Sequence, residues 1–387
     1  MNRPNDAEAG STGHEPARPP APASTGGHRR HGVSIRDVAR LAGVSPGTAS
    51  RVLSGSSYPV SDRARRRVED AAQALNYVTN SAARALVTGR SEIVGAIVHD
   101  ITDPFFSVVV RGLQDAAVAD GLVVLVGNDD RDAGKLESYL TMLLSQKPTG
   151  VVLIGGQLRD PASTLPVAVA VQRLREQGVP VVAVGRYELD IPHVAVDDAA
   201  AAETAVTHLV ELGHRRIAFV GGPLNSTTVQ DRYAGYGAAL ARVGAPVDER
   251  LVVQTPLTIE GGARGVERLG AGGTPFTAIF AATDEVAFGV ISALREAGLR
   301  IPHDVSVVGF DDVVMSAHSD PPLTTIHVPA RELGLSAWHL LKGGASDAAP
   351  GGRVPFELVV RGSTAAPALS ETSASAGPAR GGALVPD

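Results

Sequence analysis

Cysteine is absent from all 387 residues, which removes disulfide frameworks, thiolate catalysis and cysteine-rich zinc sites together. The same absence suits a reducing compartment, and a cytoplasmic location is expected. No uninterrupted apolar run approaches the roughly 20 residues of a membrane helix. The opening stretch MNRPNDAEAGSTGHEPARPP has no apolar core of the kind a signal peptide carries, so neither membrane insertion nor export is expected. Nucleotide signatures are missing as well: no GxGxxG opens a helix after the first apolar strand, and no P-loop lysine motif occurs. The 11 histidines do not cluster at metal-ligand spacing. His28 and His31 fall in a tail, and His214 reads as a helix-end residue beside Arg215 and Arg216. No catalytic set, metal site or cofactor is expected.

What is present suffices for a core: 44% hydrophobic and 20% charged residues, over a length that suits a small head and a two-lobed body. The net charge of −6 is unevenly spread. From His28 to Arg90 there are 11 arginines and no lysine against four acids, Asp37, Asp62, Glu69 and Asp70, a balance of +7 that leaves −13 for the remainder. A basic head on an acidic body can hold DNA by one end only, because phosphate repels the rest.

Residues 1–32 are rich in Pro, Gly, Ala and Ser without periodic apolar positions and read as a disordered tail, as do residues 366–387. Residues 33–79 carry three short helical patterns. Ser34 caps IRDVARLA with Asp37 at the capping-box position, and Val38, Leu41 and Ala42 make its buried stripe. Gly43 ends it. Ser45 caps a second helix with Pro46 at its first position, where a missing N–H costs nothing, and Ala49, Val52 and Leu53 face inward. A third runs from a cap at Ser61 through RARRRVEDAAQALNY, burying Val68, Ala72, Leu75 and Tyr77. The tight turn at Ala42, Gly43 and Val44 sets the first two helices at a steep angle. The second then projects Pro46, Gly47, Ser50 and Arg51 toward base edges. For this segment alone, a capped helical hairpin that merely packs is the alternative.

The head, DVARLAGVSPGTASRVLSG, resembles the pattern DVAxxAGVSxxTVSRVLNG of the lac repressor (LacI/GalR) family, departing at Ala49 and Ser54. The resemblance implies that Pro46 and Gly47 are variable base readers, that Arg51 contacts guanine in the major groove, and that Ser45, Thr48 and Ser50 largely meet phosphate. The following LNYVTNSAARALVTGRS resembles the family's hinge, LNYxPNxxARxLxxxxS, and weighs against the packing-only reading. On that likeness residues 80–91 form a short helix on operator DNA, with Asn80 and Ala83 in place and Leu86 as the wedge in the minor groove. Thr79 stands where the family has proline, and threonine does not fix φ.

After Ser91 the texture changes to apolar strands alternating with amphipathic helices: IVGAIV, LVVLVG, GVVLIGG, PVVAVG, RIAFVGG, LVVQ, AIFAA and VSVVGF. Near-continuous β-branched strands indicate parallel sheets covered on both faces. Eight of them suggest two doubly wound lobes with a ligand crevice at the carboxyl ends of the strands. DITDPFF, HLVELGHRRIAFVGG, DRYAGY, AATDEVAFGV, VSVVGFDD, PPLTTI and ELVVRGST resemble the same family, whose body is similar in fold to periplasmic sugar-binding proteins. The expected fold class is thus a small all-α helix-turn-helix head plus an α/β body of two doubly wound parallel-sheet lobes. The body spans 92–365, with an N-lobe of about 92–192 plus 330–357 and a C-lobe of about 193–329 plus 358–365.

A polar effector in such a crevice needs hydrogen-bonding side chains just past strand ends and an apolar wall. Asp311 follows VSVVGF, Thr283 and Asp284 follow AIFAA, Arg232 opens the helix after RIAFVGG, and Phe105 supplies the wall. By resemblance these are ligand contacts. Alternatives stay open: Asp284 caps the next helix, Phe105 is core, and Asp312 binds backbone in its loop. Asp198, where the family usually has Asn, either alters the joint between lobes or, as preferred, recaps the following helix. The resemblance implies a sequence-specific regulator, commonly a repressor, that binds pseudo-palindromic double-stranded operator DNA as a homodimer under control of a small molecule, mostly a sugar or sugar derivative. The tail LSETSASAGPARGGALVPD lacks the apolar heptads of the family's tetramers. Two rivals share the body fold. An exported sugar-binding protein would carry a signal peptide and no basic head, and an enzyme would carry one of the missing motifs.

Overall fold

The computed structural model describes residues 33–54, 58–78, 90–344 and 353–368, except for the side chain of Ser163, and divides into two units after Asn80. The expected hinge residues Thr79, Asn80, Ala83 and Leu86 lie outside the described residues.

In the first unit, helices α1 (Ile35–Ala42), α2 (Pro46–Leu53) and α3 (Asp62–Ala74) begin at side-chain caps. Asp37 Oδ2 accepts from the Ser34 backbone N–H at 3.0 Å and from its hydroxyl at 2.6 Å. Ser45 Oγ accepts from the Thr48 N–H at 3.1 Å, and Ser61 Oγ from that of Ala64 at 3.4 Å. Gly43 takes φ 61° and ψ 43°, a left-handed conformation that lets the N–H groups of Gly43 and Val44 close on the Arg40 and Ala39 carbonyls. The core is Val38, Ala39, Ala42, Ala49, Val52, Val68, Ala71 and Ala72, with Leu53, Leu75 and Tyr77 packed at its edge. Leu41 is excluded, at 57% exposure. At 3.6 residues per turn Leu41 points roughly 110° from the centre of the face shared by Val38, Ala39 and Ala42, so Ala39 takes its expected place.

In the second unit an all-parallel sheet runs in the order β2-β1-β3-β4-β5, built from β1 (Ile93–Val98), β2 (Val123–Asn128), β3 (Gly150–Ile154), β4 (Val181–Val184) and β5 (His193–Val194). Its crossovers are α4 (Pro104–Ala119), α5 (Ala133–Gln146) and α6 (Pro161–Glu176). A second sheet contains β6 (Ile217–Val220), β7 (Val252–Val253), β8 (Ala278–Ala281), β9 (Ser306–Asp311), β10 (Thr324–His327) and β11 (Glu357–Val359). Its order is β11-β10-β9-β8-β6-β7, parallel except where β11 meets β10. The helices α7 (Asp198–Glu211), α8 (Thr227–Arg242), α9 (Ile259–Gly272) and α10 (Asp284–Glu296) accompany it. Central strands such as β3, β4, β6 and β8 are buried at every residue, which is why they read as continuous apolar runs. The edge strand β2 exposes Val123 and Leu125.

Three strands were not expected. β5 and β11 hold only two and three residues, and β10, with the sequence TTIH, has no apolar run to announce it. They carry the sheets across the expected lobe boundaries: His193 and Val194 pair with β4, while Glu357 pairs with His327 in the second sheet.

After β10 the chain crosses back, and α11 (Ala330–Leu341) packs on α4 and on β3, β4 and β5. The two helices touch through backbone: a Cβ on Gly112 would lie 2.1 Å from the Arg331 carbonyl oxygen, and one on Gly334 2.1 Å from that of Val109. Trp338 Nε1 and Lys342 Nζ both donate to Asp120 Oδ2, at 3.0 and 2.8 Å. Among the described residues no helix is long and apolar enough to cross a membrane.

Candidate functional site

On α2, Ser45, Pro46, Gly47 and Arg51 are exposed, and Thr48 and Ser50 are half-buried. None of the six expected DNA-contact positions at this helix is buried, whereas Ala49 and Val52 are. The Ser45 and Thr48 hydroxyls are 2.9 Å apart. Arg51 lies with its guanidinium carbon 4.7 Å from the centroid of the Tyr58 ring. Its Nη2 passes beside Gly47, where a Cβ would stand 3.9 Å away. No carboxylate among the described residues pairs with it, so its forked donors stay available for a base edge or phosphate. Tyr58 as a platform was not expected, and a lone aromatic beside Pro59 is a weak signal for it.

In the second unit a cavity of about 650 Å³, mouth included, lies where the carboxyl ends of the two sheets face each other. His99 follows β1, Gly155 and Gly156 follow β3, Thr283 follows β8, and Asp311 ends β9. Phe105, Arg232, Thr283 and Asp311 all line it. Phe105 packs edge-on against Phe106, and Phe106 against His99, to make an apolar wall. Thr283 Oγ1 caps α10 by accepting from the Val286 N–H at 3.3 Å, which leaves its own proton to donate.

Arg232 is 6% exposed and its fork is largely filled. Nε donates to Asp198 Oδ1 at 2.8 Å, Nη1 to the Ala282 carbonyl at 2.6 Å and Nη2 to Asp311 Oδ1 at 3.2 Å. Its guanidinium carbon sits 3.6 Å from the Phe310 ring centroid. Burial works against the charge on Arg232, but the Asp311 and Asp198 carboxylates outweigh it and raise the pKa. Burial in turn pushes the Asp311 carboxyl well above the ordinary carboxylate range and raises Asp198, since two acids share one guanidinium. Burial also raises Asp103, which caps α4 by accepting from the Phe105 N–H at 2.9 Å. Asp103, His99 and Arg131 are lining residues that the sequence reading missed. The two sheets' loops are tied across the cleft. Arg186 donates to both oxygens of Asp231 at 2.8 Å, and Thr227 Oγ1 accepts from the Gln157 N–H at 2.9 Å.

Residues 34–80 match the bacterial regulatory proteins of the lacI family, and residues 206–364 match the periplasmic binding protein-like domain. The HTH-type transcriptional repressor CytR of Escherichia coli (strain K12) is 34% identical over 339 residues, 86% of this chain and 97% of that protein. The chain belongs to the lacI family. Solved relatives of this lacI-family chain include the transcriptional regulator CelR in complex with cellobiose, at 32% identity and TM-score 0.60, covering 86% of this chain and 99% of that one. The lac repressor dimer bound to operator and the anti-inducer ONPF superposes at TM-score 0.74 and 29% identity, with the same two coverages. The protein is accordingly a DNA-binding transcriptional regulator with an effector-binding domain, and not an enzyme.

Three expectations for this lacI-family body need correction. Asp284 is fully buried, off the cavity wall, and does not cap α10, a task that falls to Thr283. Its Oδ1 accepts from the Thr325 hydroxyl at 2.6 Å, and its Oδ2 from the Ser316 hydroxyl at 2.6 Å and the Val313 N–H at 3.0 Å. Gly309 makes room for it, since a Cβ there would stand 2.2 Å from Asp284 Oδ1. Burial pushes this carboxyl up to about 6. Asp198 does not recap α7: Asp197 does, accepting from the Ala200 N–H at 3.1 Å, and Asp198 is turned onto Arg232. Asp312 pairs with side chains rather than loop backbone, with His327 Nδ1 at 3.0 Å and Arg361 Nη2 at 2.7 Å. His214 stands at the end of α7 as expected, its N–H donating to the Leu209 carbonyl at 3.1 Å, and its ring is buried between the Thr277 hydroxyl at 2.8 Å and the Ala365 carbonyl at 2.9 Å, where burial lowers its pKa.

Proposed function

We propose that this lacI-family regulator is a cytoplasmic repressor that binds a pseudo-palindromic operator as a homodimer and changes its operator affinity when a sugar or sugar derivative enters the cavity. The observation that carries the effector reading is Arg232, buried between Asp198 and Asp311 over the Phe310 ring, with Thr283 and Phe105 on the same wall. A ring with vicinal hydroxyls donates to the two carboxylates, accepts from Thr283 and from guanidinium protons not already engaged, and lays its apolar face on Phe105. The CelR structure holds cellobiose, and the lac repressor structure is a dimer on operator, both of which support the reading. On the DNA side Ser45, Pro46, Gly47, Thr48, Ser50 and Arg51 form the operator-reading set, with Arg51 forked onto guanine. Asn80, Ala83 and Leu86 form the hinge set, with Leu86 opening the minor groove. Residues 33–79 then act as head, 80–91 as hinge and 92–365 as effector-binding and dimerisation body. A ligand that binds better when the lobes are closed shifts the population toward closure, and the hinge reads that shift.

A thermal-shift screen of the full chain against neutral sugars, sugar phosphates and nucleosides tests this. A sugar should raise the melting temperature, because a ligand of the folded state stabilises it. Asp311→Ala should abolish both that rise and the sugar's effect in a gel-shift titration, while operator is still bound. Nucleosides that shift the melting temperature while every sugar is silent would overturn the effector class.

A further inference from the structure

Asp231 and Arg232 are neighbours on α8, yet they serve different ends. Arg232 fills the cavity wall, whereas neither Asp231 nor Arg186 is among the residues that line the cavity. Asp231 instead reaches from the lobe of the second sheet to Arg186, which follows β4 in the lobe of the first. The contact is forked: Nε donates to Oδ2 and Nη2 to Oδ1, at 2.8 Å each, and Nη2 also donates to the Thr227 carbonyl at 3.3 Å. The two side chains are 34% and 31% exposed, so dissolved salt can screen the pair.

Beside this pair lies a neutral set of contacts between the same two lobes. The Thr227 hydroxyl donates to the Arg186 carbonyl at 2.7 Å and accepts from the Gln157 N–H at 2.9 Å. The Thr227 N–H donates to the Gln157 carbonyl at 2.9 Å, and the Arg159 N–H to that of Asn225 at 2.7 Å. Gly156 permits the close approach, because a Cβ there would stand 2.3 Å from the Thr228 hydroxyl oxygen. The loops after β3 and β4 are thus held against the first turn of α8 by the chain's own groups. A fork of opposite charges forms when the lobes meet and is lost when they part, so it favours the closed arrangement whatever occupies the cavity.

We infer that Arg186 and Asp231 form a charged clasp between the lobes, which sets the closed fraction of the protein and hence how much closure is left for a ligand to drive. Both are positioning residues, acting on the cavity through Arg232, the next residue along α8. The inference holds for any ligand class. Because the chain has no cysteine, the distance between lobes can be measured directly. Thr141→Cys on α5 and Glu267→Cys on α9, both at exposed positions, take nitroxide labels in the full chain, diluted into unlabelled chain so that one labelled copy is read at a time. Pulsed electron paramagnetic resonance without added ligand then reports the distance distribution. Asp231→Asn and Arg186→Met should each add a population displaced by more than about 2 Å and lower the closed-to-open ratio roughly 3- to 10-fold. Asp231→Glu, which keeps the charge, should stay close to the parent. Raising potassium chloride from about 0.05 M to about 1 M should shift the parent the same way and leave Asp231→Asn unmoved. One distribution common to the parent and both neutral variants overturns the clasp. So does a parent indifferent to salt, a measurement made on the unaltered pair and independent of how any clasp variant folds. Displacement by Asp231→Glu equal to that by Asp231→Asn overturns it too, since shape rather than charge would then hold the lobes.

Discussion

Arg51 in the head and Arg232 in the body each lie over an aromatic ring, with the guanidinium carbon 4.7 Å from the Tyr58 centroid in one case and 3.6 Å from the Phe310 centroid in the other. Around Arg51 the described residues place a glycine and no carboxylate. Around Arg232 there are two carboxylates, a carbonyl and almost no water. One side chain is kept ready for a partner from outside, and the other is a fixed part of a wall. The difference lies in the surrounding acids, and it predicts that the two arginines fail in opposite ways.

The largest effect belongs to Arg232→Met, which leaves Asp198 and Asp311 buried without a counter-ion and should cost about 3–5 kcal/mol in urea unfolding near neutral pH. Because burial already raises both acids, the loss should shrink as the pH is lowered and they take up protons. A variant as stable as the parent at pH 7 would break the comparison.

Asp284 sharpens it by being a buried acid with hydroxyl and amide donors but no cation. Its folded value of about 6 stands above its ordinary 3.8, so the native state binds more protons than the unfolded chain between those limits. The stability it contributes is fully present below about pH 4 and is lost as the pH rises through 6, by roughly 3 kcal/mol. Asp284→Asn has no such titration. The stability difference between variant and parent should therefore move in the variant's favour from pH 4 to pH 7, and a flat difference would refute the assignment. The smallest effect on stability is expected of Arg51→Ala, within about 0.5 kcal/mol, yet operator affinity in a gel-shift titration should fall about 10- to 100-fold. Tyr58→Ala, which removes the platform, should cost about 2- to 5-fold.

The head was legible because its determinants are local. Caps, a left-handed glycine and an N1 proline act within a few residues, and each stands where the sequence places it. Leu41 was misread because hydrophobicity was weighed above angle, and the flatter Ala39 holds the buried face. The long strands showed themselves as apolar runs, whereas β10 hides two fully buried threonines that no hydropathy pattern reveals. Four of the five cavity positions came together, because strand ends dictate where side chains emerge. Asp284 and Asp198 were misassigned for a common reason. Which of two adjacent polar residues caps a helix depends on the third-dimensional neighbour that claims the other, here Thr325 with Ser316 in one case and Arg232 in the other. Arg131 gave no signal, since a loop residue's place on a cleft wall is decided by the fold around it.

The return of α11 from the second sheet to the first has a consequence for recombination. The head is a continuous stretch ending near Asn80, so one junction suffices to exchange it for another. The two lobes cannot be exchanged so simply. Separating them takes three junctions: between Val194 and Asp198, between His327 and Ala330, and between Leu341 and Glu357. Gene rearrangement can therefore redirect this regulator to a new DNA site in one event, while a new effector preference must arise by substitution within the cleft.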